Sequence, residues 1–171
     1  LQTLTVSAIV LEEITATKEE KITLATKILE TVEKSTTVDS PVNNDIQVAA
    51  TKAQVLTIVT SSNYSSQVLE DKSVAIVSKI ANYISQASTP NQEEDIIAII
   101  TRLLVSLSNI VDRNGRIPTL QVNTTVNSLV YLSTALTRAT IIGKMHLIES
   151  THFSLYSAIT SPIKDERDRQ L

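Results

Sequence analysis

Only two glycines and four prolines interrupt the 171 residues of this chain, and they lie between stretches of helical periodicity. Within those stretches, apolar residues recur three and four positions apart, the spacing of one buried helix face. The connections are short, which favours antiparallel neighbours. The sequence therefore predicts a mainly α fold, an antiparallel bundle of five or six helices followed by a short β-element at the C-terminal end.

Local signals predict where several helices begin and end. Thr17 and Glu20 have the spacing of a capping box and start the second helix. Thr89 is predicted to be the N-cap of the fifth helix, with Pro90 as its first residue, and Gly115 ends that helix. The fifth helix is apolar enough to be buried on most sides. The sixth, over about 119–139, is predicted to offer the core Val122, Val126, Leu129, Val130, Leu132, Leu136 and Ala139.

The last thirty residues predict a change of structure. Gly143 closes the helical region, and side chains from His152 to Ile159 alternate as in a strand. We predict a helical bundle over 1–142, the start of a small β-subdomain over 143–160 and a solvated charged tail over 161–171. This strand is expected to pair with another one, and the other strands are expected to lie mostly outside these residues.

Composition argues against two classes of binding partner, nucleic acids and membranes. A net charge of -3 with 19% charged residues gives no basic surface for nucleic acid or for membranes. No apolar run reaches the roughly 20 residues of a membrane span. The absence of cysteine leaves the redox compartment open. The chain starts without Met or a leader, which is compatible with a piece of a longer protein.

No group of residues predicts catalysis, a cofactor or a metal. His146 and His152 would share one face of an unbroken strand, but Glu149 lies on the opposite face and further metal ligands are missing. Glu93, Glu94 and Asp95 suit the positive end of a helix dipole. No glycine-rich loop is present to bind phosphate. The sequence predicts a protein that is not an enzyme.

Two N-glycosylation motifs occur, at Asn63 and Asn123. About two such motifs are expected by chance in a chain with this Asn, Ser and Thr content. Asn63 lies in a predicted loop between helices, where a glycan could project, whereas Asn123 lies in a predicted helix. Asn63 is therefore the stronger candidate if the chain is secreted.

Three passages carry a family resemblance: "VLTIVTSSNYSSQVLEDKSVAIVSKIANYIS", "LLVSLSNIVDRNG" and "TRATIIGKMHLIESTHFSLYSAI". In order and spacing they resemble the receptor-for-egg-jelly region of polycystin-like proteins and the helical part of the related GAIN domain. The resemblance covers 46–159. It implies that 1–142 is similar to the helical GAIN subdomain A and that the chain enters a β-subdomain after Gly143.

The resemblance implies a non-enzymatic extracellular structural or adhesion module of a cell-surface or ciliary-surface glycoprotein, preceding the membrane part. Its partners would be other proteins or the remaining domains of a longer chain. The family's autoproteolytic site cannot be carried over, because Ile148 follows His146-Leu147 where the family has Thr or Ser. Two alternatives remain: a cytosolic adaptor that binds a partner helix, and a small-ligand sensor with a cavity between helices.

Overall fold

The computed structural model describes residues 2–35, 46–117 and 119–160. Within them, six helices precede one antiparallel pair of strands, which confirms the predicted fold class. The elements are α1 (Gln2–Glu13), α2 (Lys18–Lys34), α3 (Ile46–Ser61), α4 (Gln67–Ala87), α5 (Glu93–Asn114), α6 (Val122–Ala139), β1 (Met145–Glu149) and β2 (Ser154–Ala158). The predicted loop residues 36–45 and the predicted tail over 161–171 lie outside the described residues.

The core is one apolar cluster to which all six helices contribute buried residues. The most extensive contacts join α4 to α6 and α3 to α5. α5 carries buried residues along its length, with Ile100, Leu103 and Leu104 fully enclosed, while Glu94, Asp95 and Ala98 are exposed on its other side. None of the helices in the described ranges combines the length and apolar character needed to cross a membrane.

Two predicted helix ends are confirmed. Thr17 Oγ1 accepts a hydrogen bond from the Glu20 N–H, and the Glu20 carboxylate accepts one from the Thr17 N–H, which completes the capping box. Gly115 ends α5 in the left-handed conformation, with φ of 66°.

The predicted N-cap of α5 is wrong. A 3-10 turn over Pro90–Gln92 precedes the helix, which begins at Glu93. The Thr89 hydroxyl makes no capping bond to the backbone and instead donates to Gln92 Oε1 at 3.0 Å. Thr89 and Pro90 therefore start a tighter turn that leads into the helix.

The buried face of α6 also differs from the prediction. Val122, Val126 and Val130 are exposed. Leu132, Leu136 and Ala139 are buried as predicted, and the other buried residues of the helix are Thr125, Ser128 and Ala135. Ser128 can face inward because its hydroxyl donates to the Thr124 carbonyl at 2.7 Å, so the polar group is satisfied within the helix. Small side chains on this face suit the extensive packing of α6 against α4.

Candidate functional site: a hairpin anchored at both ends of α5

The two strands pair with each other as an antiparallel hairpin. Met145 lies opposite Ala158, and Glu149 lies opposite Ser154. At the open end the Gly143 N–H donates to the Ile159 carbonyl at 2.7 Å, and in the turn the Ser150 N–H donates to the Phe153 carbonyl at 2.8 Å. The prediction of one alternating strand over 152–159 is therefore corrected, because the Ser150–Phe153 turn interrupts it. Its pairing partner, β1, belongs to this chain.

Glu93, the first residue of α5, anchors the open end of the hairpin. Its buried carboxylate contacts Lys144 Nζ at 2.5 Å and His146 Nε2 at 2.7 Å. It also accepts a hydrogen bond from the Ile141 N–H at 3.4 Å. Hydrogen bonds from Lys144 and His146 lower the pKa of the Glu93 carboxyl to about 2, because they stabilise its charged form.

The other end of α5 anchors the hairpin turn. His152 Nε2 contacts Asp112 Oδ1 at 2.6 Å, and both side chains are partly open to solvent. One turn earlier in α5, the Ser108 hydroxyl donates to Ser150 Oγ at 2.8 Å and accepts from the His152 N–H at 3.3 Å. Each end of α5 thus contacts one end of the hairpin through side-chain hydrogen bonds.

Between these anchors, the inner face of the hairpin packs on the bundle. Ile148 from β1 and Ser157 from β2 are both buried. The Ser157 hydroxyl accepts a hydrogen bond from Thr140 Oγ1 at 3.0 Å, just after the end of α6. The hairpin is therefore part of the packed structure, with contacts to both α5 and α6.

The outer face of the hairpin is apolar and exposed. Met145 is 71% exposed, Tyr156 62% and Leu147 61%. Leu147 and Tyr156 lie opposite each other in the pairing, and the Tyr156 hydroxyl approaches Met145 Sδ at 3.5 Å. An antiparallel sheet that meets water on one side normally presents polar residues there. Clustered exposed apolar residues of this kind mark interaction surfaces.

The two histidines do not share a site. They contact carboxylates at opposite ends of α5, at positions that are roughly 28 Å apart along the helix axis. Glu149 lies on the outer face of β1. Across the part of the chain that the structure describes, no three His, Asp or Glu side chains come together as a metal site would require.

Asn63 is exposed in the connection between α3 and α4. This connection is held by Arg113, whose guanidinium donates to the carbonyls of Thr60 at 2.6 Å and Ser62 at 2.7 Å. Asn63 lines an open polar cleft of about 500 Å³, which has hydroxyl, amide and charged side chains around it. The geometry thus leaves Asn63 accessible on a fixed loop.

Asn123 is exposed in the first turn of α6, which confirms its predicted helical position. Thr125, the third residue of that motif, is buried against the bundle. In the folded chain the Asn123 motif therefore lacks an accessible hydroxyl. The Ser65 hydroxyl of the other motif donates to the buried Glu70 carboxylate.

Sequence patterns did not reveal that three charged residues are buried: Glu93, Lys52 and Glu70. Glu93 was assigned with Glu94 and Asp95 to a helix dipole, yet only Glu93 is buried. The sequence does contain a signal for the burial of Glu93. It lies three positions before Ile96, so both residues belong to the buried face of α5.

Lys52 is the second buried charge. It lies between Ala49 and Leu56 on the inner face of α3 and donates to the Ser35 carbonyl at the end of α2, with Nζ and O at 2.6 Å. Burial lowers the pKa of the Lys52 amine to about 8, because it disfavours the charged form.

Comparison of the chain with protein-family models, with curated proteins and with solved structures finds no match. The resemblance to the GAIN-type helical region therefore stays a prediction from sequence passages. The features of the chain that bear on its function are the hairpin and the surfaces around it.

Proposed function

We propose that this chain is a non-enzymatic structural module of a cell-surface or ciliary-surface glycoprotein, in which the hairpin joins the helical bundle to further β-structure. The observation that carries the proposal is the exposed apolar outer face formed by Met145, Leu147 and Tyr156. The occupant we assign to that face is a β-subdomain whose own apolar side chains cover it.

The way in which the hairpin is held favours this occupant. Isolated two-stranded hairpins are marginal in water, and a third strand or a packing surface is needed for stability. In this chain the helical bundle supplies a packing surface for the inner face of the hairpin. Ile148 is buried against it, and Glu93 and Asp112 contact the two ends of the hairpin. The apolar outer face suits continuation into a larger sheet, and so do the outer edges of the two strands, which pair with no other strand among the described residues.

The surroundings of Asn63 are compatible with the extracellular part of the proposal. The side chain is exposed on a loop that Arg113 fixes, so a glycan there would project without disturbing the bundle. Glycosylation at Asn63 is accordingly part of the proposed function.

A cytosolic adaptor is the second candidate, and one groove favours it. Residues of α1 and α2, among them Val10, Leu11, Ile14, Leu24 and Ile28, line an open apolar groove of about 370 Å³. Such grooves receive the apolar face of an amphipathic helix. The groove does not account for the apolar hairpin face, so we prefer the structural module.

Cysteine labelling tests the covered hairpin face, because these 171 residues contain no cysteine. We would compare Leu147→Cys with Val68→Cys, an exposed position on α4, in the protein made by its native cells and in the isolated chain. Maleimide is expected to label both positions in the isolated chain but only Val68→Cys in the native protein. Equal labelling of Leu147→Cys in both preparations would refute the covered face.

Mass spectrometry of the same native material tests the location. A glycan on Asn63 is the expected result. Unmodified Asn63 in protein purified from intact cytosol would instead support the adaptor.

A further inference from the structure

The outward side of α6 forms a surface that the proposed function does not use. Val122, Val126 and Val130 follow each other at intervals of four residues and are 39%, 50% and 57% exposed. Side chains at this interval form one continuous ridge along a helix. We call these three residues the α6 ridge.

The α6 ridge lies in a stretch of sequence without charge, and the acidic group in contact at its start is Asp71 of α4, which accepts from Gln121 Nε2 at 3.0 Å. No charged side chain occurs in the sequence from Ile117 to Thr137. The only charged residue of α6, Arg138, is exposed near the other end of the helix, where its guanidinium donates to the Ser85 carbonyl of α4 at 2.9 Å. The exposed residues beside the ridge are polar but neutral: Asn123, Asn127, Thr134 and Thr137. By contrast, α2 carries lysine and glutamate over much of its surface.

We propose that the α6 ridge binds a second copy of this chain, with the two α6 helices packed about a twofold axis. In a twofold contact the same patch meets itself, so any net charge on the patch would meet like charge. The neutral α6 surface avoids this repulsion, although the whole chain carries a net charge of -3. A surface built for a charged partner would show complementary charge around its rim.

The chemistry of the ridge also suits a copy of itself. Ridges at four-residue spacing fit into the grooves between equivalent ridges of another helix, which is the commonest mode of helix packing. Asn side chains both donate and accept hydrogen bonds, so Asn123 and Asn127 can pair with amides of the other copy. The valines supply apolar area and the asparagines fix the register.

The size of the surface sets the expected affinity. α6 has 18 residues and is about 27 Å long, with a face roughly 10 Å wide. Such a face is smaller than the roughly 800 Å² that each partner contributes to an interface of standard size. We therefore expect a weak dimer, with a dissociation constant between about 1 µM and about 1 mM. A glycan on Asn123 would block this contact, so Asn123 is expected to be unmodified.

Sedimentation equilibrium of the full chain from about 1 µM to about 1 mM tests the dimer. The key variant is Val130→Glu, and the matched control is Val68→Glu, because Val130 on α6 and Val68 on α4 are both 57% exposed. Circular dichroism would establish that each variant is folded. We expect wild type and Val68→Glu to dimerise alike, and Val130→Glu to dimerise at least about tenfold more weakly, since two acidic groups would face each other.

Three results would overturn the inference. The wild-type chain could remain monomeric throughout this range, or Val130→Glu could dimerise as tightly as the control. Alternatively, Leu147→Glu on the hairpin could abolish the dimer while Val130→Glu leaves it intact, which would assign self-association to the hairpin face. The first two results would leave the proposed role of the hairpin unaffected, whereas the third would make a second copy of the chain, rather than a β-subdomain, the occupant of its outer face.

Discussion

Glu93 links the helical bundle to the hairpin through its charged side chain. Its carboxylate is buried at the start of α5 and contacts the side chains of Lys144 and His146, which lie at the open end of the hairpin. A buried carboxylate is stable only when it is paired and hydrogen-bonded, and both conditions hold here. Removing its charge should therefore loosen the hairpin.

The first prediction concerns the pH dependence of this contact. The pKa of Glu93 is lowered to about 2 from an ordinary value of 4.5, so its contribution to stability is complete above pH 4.5 and is lost as the pH falls towards 2. Glu93→Gln should be less stable than wild type at pH 5, and the difference should shrink as the pH approaches 2. Urea unfolding followed by circular dichroism measures this difference. Glu94→Gln, at the exposed neighbour, is the control, and a difference independent of pH would contradict the assignment.

The second prediction concerns Lys52. Its folded pKa of about 8 lies below the ordinary 10.5, so between these values the unfolded chain binds a proton that the folded chain has lost. Wild-type stability should therefore rise from pH 8 to pH 10.5 relative to that of Lys52→Met, which has no amine to titrate. Denaturant unfolding at pH 8 and pH 10 tests this. Lys27→Met at an exposed site of α2 should show no such relative change.

At the scale of elements, the parts that could be predicted are those fixed by local signals. The capping box at Thr17 and the left-handed end at Gly115 depend on neighbouring residues alone, and both are confirmed. The face of α6 was found only in part, because Val122, Val126 and Val130 were expected to be buried and Ser128 was not among the predicted core residues. Packing against α4 favours the smaller residues, and a hydrogen bond within the helix satisfies the Ser128 hydroxyl.

The candidate site was less predictable than the helices. The sequence indicated a β-element after Gly143 but assigned the pairing partner to residues outside this chain. The Ser150–Phe153 turn, which brings β2 back onto β1, contains neither glycine nor proline, so it has no strong local signal. The contacts of Glu93 and Asp112 with the two histidines join positions 53 and 40 residues apart, which periodicity does not reveal.

Gly143 gives a prediction about the connection from α6 to β1. Its φ is 89°, and an added Cβ would meet no atom within 4 Å. The cost of Gly143→Val therefore comes from the backbone conformation rather than from a clash, and we expect a loss of about 1–2 kcal/mol in the free energy of unfolding. Gly143→Asn should lose less, because Asn visits this region more readily. Equal stability of the valine variant and wild type in urea unfolding would contradict a strained turn.

At the scale of the whole molecule, the hairpin and the bundle are expected to unfold together. Ile148 is buried in the same apolar cluster as the helices, and the polar anchors lie at both ends of α5. Cooperative units share their buried contacts, so a change in one part should affect the other.

Ile148→Ala tests this coupling. Truncating a buried isoleucine should cost about 2 kcal/mol or more. Hydrogen exchange measured by mass spectrometry should then show lower protection both in the hairpin and in α5. Leu147→Ala, on the exposed face of the same strand, should leave α5 unchanged. Loss of protection confined to the hairpin would mean that it opens independently of the bundle.

The geometry of the open hairpin end has a mechanical consequence. Gly143 and Ile159 are hydrogen-bonded to each other, so the chain enters and leaves the hairpin side by side. A pulling force between the end of α6 and a segment beyond Thr160 would separate the strands from this end and break their hydrogen bonds in succession rather than all at once. Such a hairpin yields at low force. The contacts of Glu93 with Lys144 and His146 lie next to the first bond to break, where they would resist the initial step.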